Sequence, residues 1–518
     1  MSAAAKPETT FNIMEYQVDG NTLLDDDSIE RAVYPFMGED KTIKDVDGAR
    51  RALEKAYHDH GYPTVLVNIP PQHVAEGTVH LKVVEAPVGK LRVVGSEYHS
   101  LDEIKQAVPG LKEGGVPDFT VVQQELTQVN RSPDRKVTPV LRASETPGMV
   151  DVDLLVKDEF PLHASLDLNN HYSPNTDHLR ATADVHYDNL FQLEHSIDFQ
   201  FQTAPGDPSQ VRVLSLSYVV PLANSAALAL YGVQSDSNVA TVGALSVLGR
   251  GDVVGARLIK PLPGGDQRFY HSLSGGLDYK DFKQDLVLEG GDAPTPIHYL
   301  PFSLQYSATW LQPASQKISA SGLQGETASA GSSTTLSAGL TFTLRGVVAD
   351  DDEFNNKRAG ASASFIVLRP SLQRLQALPW DWSLFARLDG QLASGPLISN
   401  EEFSAGGADS VRGFEESEIL GDQGLRASTE LRTPKVFSRW LPRLQQSYLF
   451  GFSEVGYLQT RDPLAAQDPS DTIASWGLGY RLKAGSLSVS LDGARTLDQG
   501  PDTRGSTNRG IFEVNYGF

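Results

Sequence analysis

Along the first third of the chain, apolar residues recur with two periods. Val46, Ala49, Leu53 and Tyr57 fall on one face of a helix expected over residues 46–60, with Gly61 as its C-terminal stop. Alternating runs around it predict strands at 11–18, 64–69 and 78–84. A short helix over 29–36 follows Asp26-Asp27-Ser28, a helix-start signal. The same order of strand, helix, helix, strand, strand returns at 90–94, 101–108, 119–129, 136–141 and 150–156. Two repeats of roughly 70 to 80 residues predict tandem α+β modules, set at 11–87 and 88–158 after a tail at 1–10.

Beyond residue 158, helical periodicity gives way to a period of two. Ile197, Phe199 and Phe201 alternate with polar neighbours, and so do Leu214, Leu216 and Tyr218. At the C-terminus Phe512, Val514, Tyr516 and Phe518 share a face, with Glu513 and Asn515 opposite. Sixteen such runs begin near 162, 178, 196, 211, 226, 252, 270, 297, 334, 359, 381, 424, 446, 472, 487 and 510. The spacing of about 22 residues per strand and loop is that of a membrane barrel with short spans. Asp167, Asn169, Arg387, Asp389 and Gln391 on strand faces suit a wet lumen better than a dry sandwich core. The fold class expected is therefore mainly β: a 16-stranded antiparallel transmembrane barrel over 159–518, preceded by two α+β modules. An even strand count brings both barrel ends to the side of those modules. The polar stretches 314–333 and 349–357 are expected as extracellular loops.

Composition narrows this picture. No cysteine is present, which fits an oxidising compartment. A net charge of −21 argues against nucleic acid as a partner. No run of 18 apolar residues exists, so no membrane helix is expected, and residues 1–10 show no signal peptide. There is no Gly-x-Ser-x-Gly elbow, no His-Glu-x-x-His and no phosphate-binding loop. The chain is read as no enzyme, with no cofactor and no metal. The pairs His58/His60 and His163/His171 are read as surface or lumen residues. Asp350-Asp-Asp-Glu353 is read as a solvated loop and Asp25-Asp-Asp27 as a helix start.

One segment carries more specific chemistry. Ser404-Ala-Gly-Gly-Ala-Asp-Ser-Val-Arg-Gly-Phe414 lies in the long connection between the runs near 381 and 424. Val411, Arg412, Gly413 and Phe414 present one cation between two apolar groups, and a buried Arg needs a carboxylate partner. With two N-terminal modules similar to POTRA domains and a barrel ending in Phe, this segment resembles the TpsB transporters of two-partner secretion. These form the haemolysin secretion and activation family, related to barrel-assembly proteins. Residues 130–141, 152–158, 169–174, 187–190 and 421–425 also resemble family segments, so the likeness runs from Phe11 to Phe518.

The resemblance implies that the loop, 396–423, folds into the barrel and that its Arg pairs with an acid in a Phe-x-Asp-x-Gly strand. Here that strand reads Phe452-Ser-Glu-Val-Gly456, so Arg412 is expected to pair with Glu454, and Glu430 and Asp389 compete. It implies an unfolded exoprotein (an adhesin, haemolysin or toxin) captured by the POTRA modules through strand addition near Val65 or Val137. That partner then leaves the periplasm for the cell surface without nucleotide hydrolysis. The alternatives are a barrel-assembly factor of the same superfamily and a passive porin. Outer-membrane lipid or lipopolysaccharide, the barrel-assembly machinery and a monomeric state complete the expectation. Only about ten residues precede Phe11, so the pore-plugging N-terminal helix of many relatives is expected to be missing from this chain.

Overall fold

The computed structural model describes residues 9–74, 76–174, 176–237, 239–242, 245–264, 268–283, 285–286, 293–312, 331–437, 444–465, 467–503 and 507–518. The chain forms two compact units, Met1–Pro161 and Leu162–Phe518.

The first unit holds two three-stranded sheets of one topology. In the first, Thr78–Val84 is central, parallel to Glu15–Asp19 and antiparallel to Leu66–Asn68. In the second, Val150–Asp158 is central, parallel to Val88–Val94 and antiparallel to Arg135–Ala143. The helix Ile43–Asp59 buries Val46, Ala49, Leu53 and Tyr57 against the first sheet's Val79, Leu81 and Val83. Thr42 and Asp45 close its start as a capping box. The helix Phe119–Val129 has the predicted bounds, capped by the Asp118 carboxylate. The first helix, Asp26–Val33, is capped by Asp25, which accepts from Ser28 N at 2.9 Å. The strand Gly38–Lys41, paired with Phe11–Ile13, was not foreseen because it has no alternating apolar residue.

The repeat is carried by atoms as well as by order. Gly20 and Gly95 end the first strand of each module with φ of 88° and 89°. A Cβ on either would stand 2.6 Å from a central-strand carbonyl, Val83 O or Val156 O. Two residues past each carbonyl an acid clamps the same turn. Glu85 accepts from Thr22 N at 2.7 Å and Leu23 N at 3.1 Å. Asp158 accepts from the N–H groups of Glu97, Tyr98 and His99 at 2.9 to 3.2 Å, and from Ser96 Oγ at 3.1 Å. Burial alone would raise the Asp158 pKa, but these donors prevail and hold it down at about 2.

The second unit is a closed antiparallel barrel. Ile297–Tyr299 and Phe302–Gln312 both pair with Phe269–Phe282 as successive parts of one span, which makes the seventeen segments of the ring sixteen strands. Strands begin within two residues of expectation except one: pairing expected near 359 begins at Ile366. Ala361, Ala363 and Phe365 continue the alternation outside the strand pairing and belong to one buried cluster with Phe354 and Tyr299. Phe354 belongs to a helix, Asp351–Lys357, where a solvated loop was expected; Asp350 caps it and acids fill its first turn. Outward positions expose Leu166, Phe199, Leu216, Leu258 and Leu304, a surface suited to lipid. Most of the stretch 314–333 lies outside the described residues. The strands that flank it, Phe302–Gln312 and Ser332–Phe342, end and begin with the short turns, on the side where Leu162–Asn169 begins, rather than on the opposite, long-loop side expected for it. The ring closes between Asn508–Gly517 and Leu162–Asn169 over five register pairs, against fourteen between Gln446–Gln459 and Ser470–Ala484.

Candidate functional site

The connection between Ser383–Ala393 and Gln423–Arg432 forms a small ribbon in which Phe403–Ala405 pairs with Ile419–Gly421. Its apolar residues Phe403, Ala405, Val411, Phe414 and Ile419 pack against Leu458 and Ile473 of the barrel wall. This burial anchors the loop to the wall and delivers one cation with it.

That cation is Arg412, 3% exposed. Its backbone N–H donates to Glu454 Oε2 at 2.7 Å, while Nε and Nη2 donate to Oε1 at 2.9 and 2.5 Å. Nη2 also donates to Glu430 at 2.8 Å, and Nη1 stands 3.5 Å from Asp492. The guanidinium lies on the Phe452 ring, 3.7 Å from its centre, a stacking suited to a planar cation. Glu430 also binds Arg432, and Asp492 binds Arg481 at 2.6 and 2.9 Å. Three guanidinium groups therefore face three carboxylates. Arg412 and the three carboxylates are buried, so the loss of Arg412 strands charge away from water.

The strand motif now has a reason at each position. Phe452 supplies the ring, Glu454 the carboxylate, and Gly456 the space: a Cβ there would meet Ala405 Cβ at 2.8 Å and Val411 Cγ2 at 3.4 Å. Gly413, with φ of 101°, turns the loop over Ala494 and Thr496, whose side-chain carbons an added Cβ would meet at 3.2 to 3.3 Å.

Two further carboxylates hold the loop. Asp422 takes both Arg358 nitrogens at 2.7 Å and the N–H groups of Leu397 and Arg461 at 2.6 Å. Glu418 accepts from Asp502 N at 2.9 Å and Thr503 N at 2.5 Å.

Val411, Arg412, Gly413, Phe414, Phe452, Glu454 and Gly456 are thus brought together. Glu430 is an additional partner rather than a competitor. Asp389 does not reach Arg412 and instead binds Ser371 and Arg387, both at 2.7 Å. Asp492 was missed; its signal was the alternation that places it on the inner face of Leu487–Thr496. Phe512, Val514, Tyr516 and Phe518 lie apart from this site, with Tyr516 and Phe518 exposed and packed edge to face at 4.9 Å.

Residues 11–86 match the POTRA domain, ShlB-type. Residues 148–250 and 296–482, more than half of the chain, match haemolysin secretion/activation protein ShlB/FhaC/HecB. The chain belongs to the ShlB/FhaC/HecB family. This is a family of outer-membrane transporters, with the barrel in the bacterial outer membrane and the POTRA domain in the periplasm.

Among curated relatives of this ShlB/FhaC/HecB member, the outer membrane transporter CdiB of Escherichia coli O6:K15:H31 (strain 536) is 24% identical over 183 residues, 34% of this chain and 31% of that one. CdiB of Dickeya dadantii (strain 3937) is 21% identical over 181 residues, 35% and 32% of the two chains. The match thus spans about a third of the length of these relatives. The solved structure of CdiB from Escherichia coli superposes with a TM-score of 0.66 at 20% identity, over 100% of this chain and 92% of that one. BamA from Haemophilus ducreyi lacking POTRA domains 1–3 gives 0.58 at 14% identity, over 98% and 100%. At these identities the likeness is one of fold.

Proposed function

We propose that this chain is a TpsB-type transporter that passes an unfolded exoprotein from the periplasm to the cell surface, without nucleotide hydrolysis. The observation that carries this reading is Arg412, held among Glu454, Glu430 and Asp492 between the two strands of a loop packed on the wall. A charge set buried in this way contributes little net stability but fixes one geometry, so it serves to position the loop. A passive porin has no use for such a loop, nor for POTRA-type modules.

Residues 88–158 form a second POTRA module in this reading, supported by the shared topology and by the Gly20/Glu85 and Gly95/Asp158 clamps. Each sheet has edges at which an extended chain can add by backbone hydrogen bonds. Of the expected edges, Leu66–Asn68 offers three residues and Arg135–Ala143 nine, so we assign capture to the second.

The test is release of the cognate exoprotein by cells carrying the transporter without residues 11–158. Release should vanish while the barrel still inserts. Undiminished release would refute the receptor role of the modules.

A further inference from the structure

A second cluster of charge lies on the inner wall, on the first three barrel strands. His163 is on Leu162–Asn169, Asp184, His186 and Asp188 are on Arg180–Leu190, and Asp198 is on His195–Thr203. Register sets His163 opposite His186 and His186 opposite Asp198. The alternate residues Val185, Phe199 and Leu166 are exposed on the lipid side, so these five side chains share the lumen face. The two imidazole rings stack with centres 4.9 Å apart. His186 Nδ1 stands 3.4 Å from Asp184 and its Nε2 3.9 Å from Asp188.

Three features distinguish this cluster from ordinary lumen polarity. Ligand atoms of His163, His186 and Asp188 all lie within 4.8 Å of one another, and so do those of Asp184, His186 and Asp198. A point central to three such atoms is within about 2.8 Å of each, so small side-chain rotations reach the ~2.1 Å of a zinc–nitrogen or zinc–oxygen bond. Among the described residues, none of the three carboxylates forms an ion pair with Lys or Arg. The cluster therefore carries uncompensated negative charge beside two nitrogen donors. Finally, His163, Asp184, His186 and Asp198 are fixed by register pairs between neighbouring strands, and Asp188 follows two residues past His186, where the pairing with His195–Thr203 shifts register.

We propose that His163, His186 and Asp188 bind a divalent transition-metal ion on the inner wall. Asp184 faces the other ring nitrogen of His186, and with the neighbouring Asp198 it neutralises the ion. Two imidazoles and a carboxylate favour zinc-like ions over calcium or magnesium, which prefer all-oxygen sets. The ion ties together the first two strands of the barrel, of which Leu162–Asn169 also forms the five-pair closure.

The experiment is zinc chloride titration by calorimetry into the untagged full chain in detergent, with heat-modifiable gel migration as the check of folding. One zinc per chain is expected, with a higher thermal midpoint and no effect of magnesium at the same concentration. His186→Ala should abolish binding, and His163→Gln and Asp188→Asn should each weaken it at least tenfold. If His186→Ala does not fold, the two milder variants decide. Failure of the folded protein to take up zinc overturns the proposal, as does affinity unchanged by these substitutions. Zinc binding is read directly and in vitro, so it stands or falls separately from the secretion reading.

Discussion

The barrel's inner wall holds two charge clusters built from similar parts and closed in different ways. Around Arg412, three guanidinium groups meet three carboxylates at hydrogen-bond distances or just beyond. Around His186, three carboxylates meet two imidazoles and, among the described residues, no guanidinium or ammonium group. The first cluster is complete within the chain and has one arrangement. The second lacks a cation, and that need is what makes it a binding site. Balance, rather than the number of charged residues, separates an internal lock from a ligand site.

Breaking the balanced cluster should have the largest consequence. Arg412→Ala leaves Glu454, Glu430 and Asp492 without their shared partner, a loss of about 3–5 kcal/mol in loop anchoring. Secretion should collapse while the barrel still inserts, and planar-bilayer conductance should become unsteady. Wild-type secretion by a well-expressed variant would remove the motif from the mechanism. Within the cluster, Glu454→Gln should cost far more secretion than Asp492→Asn, because Glu454 makes three contacts to Arg412 and Asp492 one at 3.5 Å. Equal effects would mean that the network shares its charge rather than relying on one acid. Gly456→Leu tests geometry without touching charge: displacing Ala405 and Val411 should cost about 1–3 kcal/mol, seen as faster proteolysis of the loop.

The smallest expected effect concerns Asp158, an acid satisfied by N–H and hydroxyl donors and His99 instead of a guanidinium group. Its folded pKa of about 2 is below the unfolded value of about 3.9. Its stabilisation is therefore present above about pH 4 and lost as pH falls through about 2. Protection of the Glu97, Tyr98 and His99 amides, taken relative to their intrinsic exchange rate at each pH, should fall in that window. Asp158→Asn should remove the dependence.

The ladder of strands was legible because a half-buried sheet writes its period into the sequence. The helix face of Val46, Ala49, Leu53 and Tyr57 was legible for the same reason. The Arg412–Glu454 pair was reached through a motif, 42 residues apart. Asp492, 80 residues from Arg412, was out of reach because its place depends on cross-strand register, which no local pattern states. His163 was grouped with His171 by nearness in sequence, whereas the hairpin sets it against His186. The Gly38–Lys41 strand and the Asp351–Lys357 helix were hidden by polar composition, their pairing and capping being decided by neighbours.

The short closure between the last strand and the first has a consequence for assembly and breathing. Asn170 lengthens it by side chain: its amide donates to Gly510 O at 2.8 Å and accepts from Phe512 N at 2.8 Å. Nearest-neighbour strands can zip along the chain with little loop to close, whereas this junction joins segments more than 300 residues apart. It is therefore expected to be the last ladder to form and the first to exchange its amide protons, which hydrogen exchange along Asn508–Gly517 against Gln446–Gln459 would show.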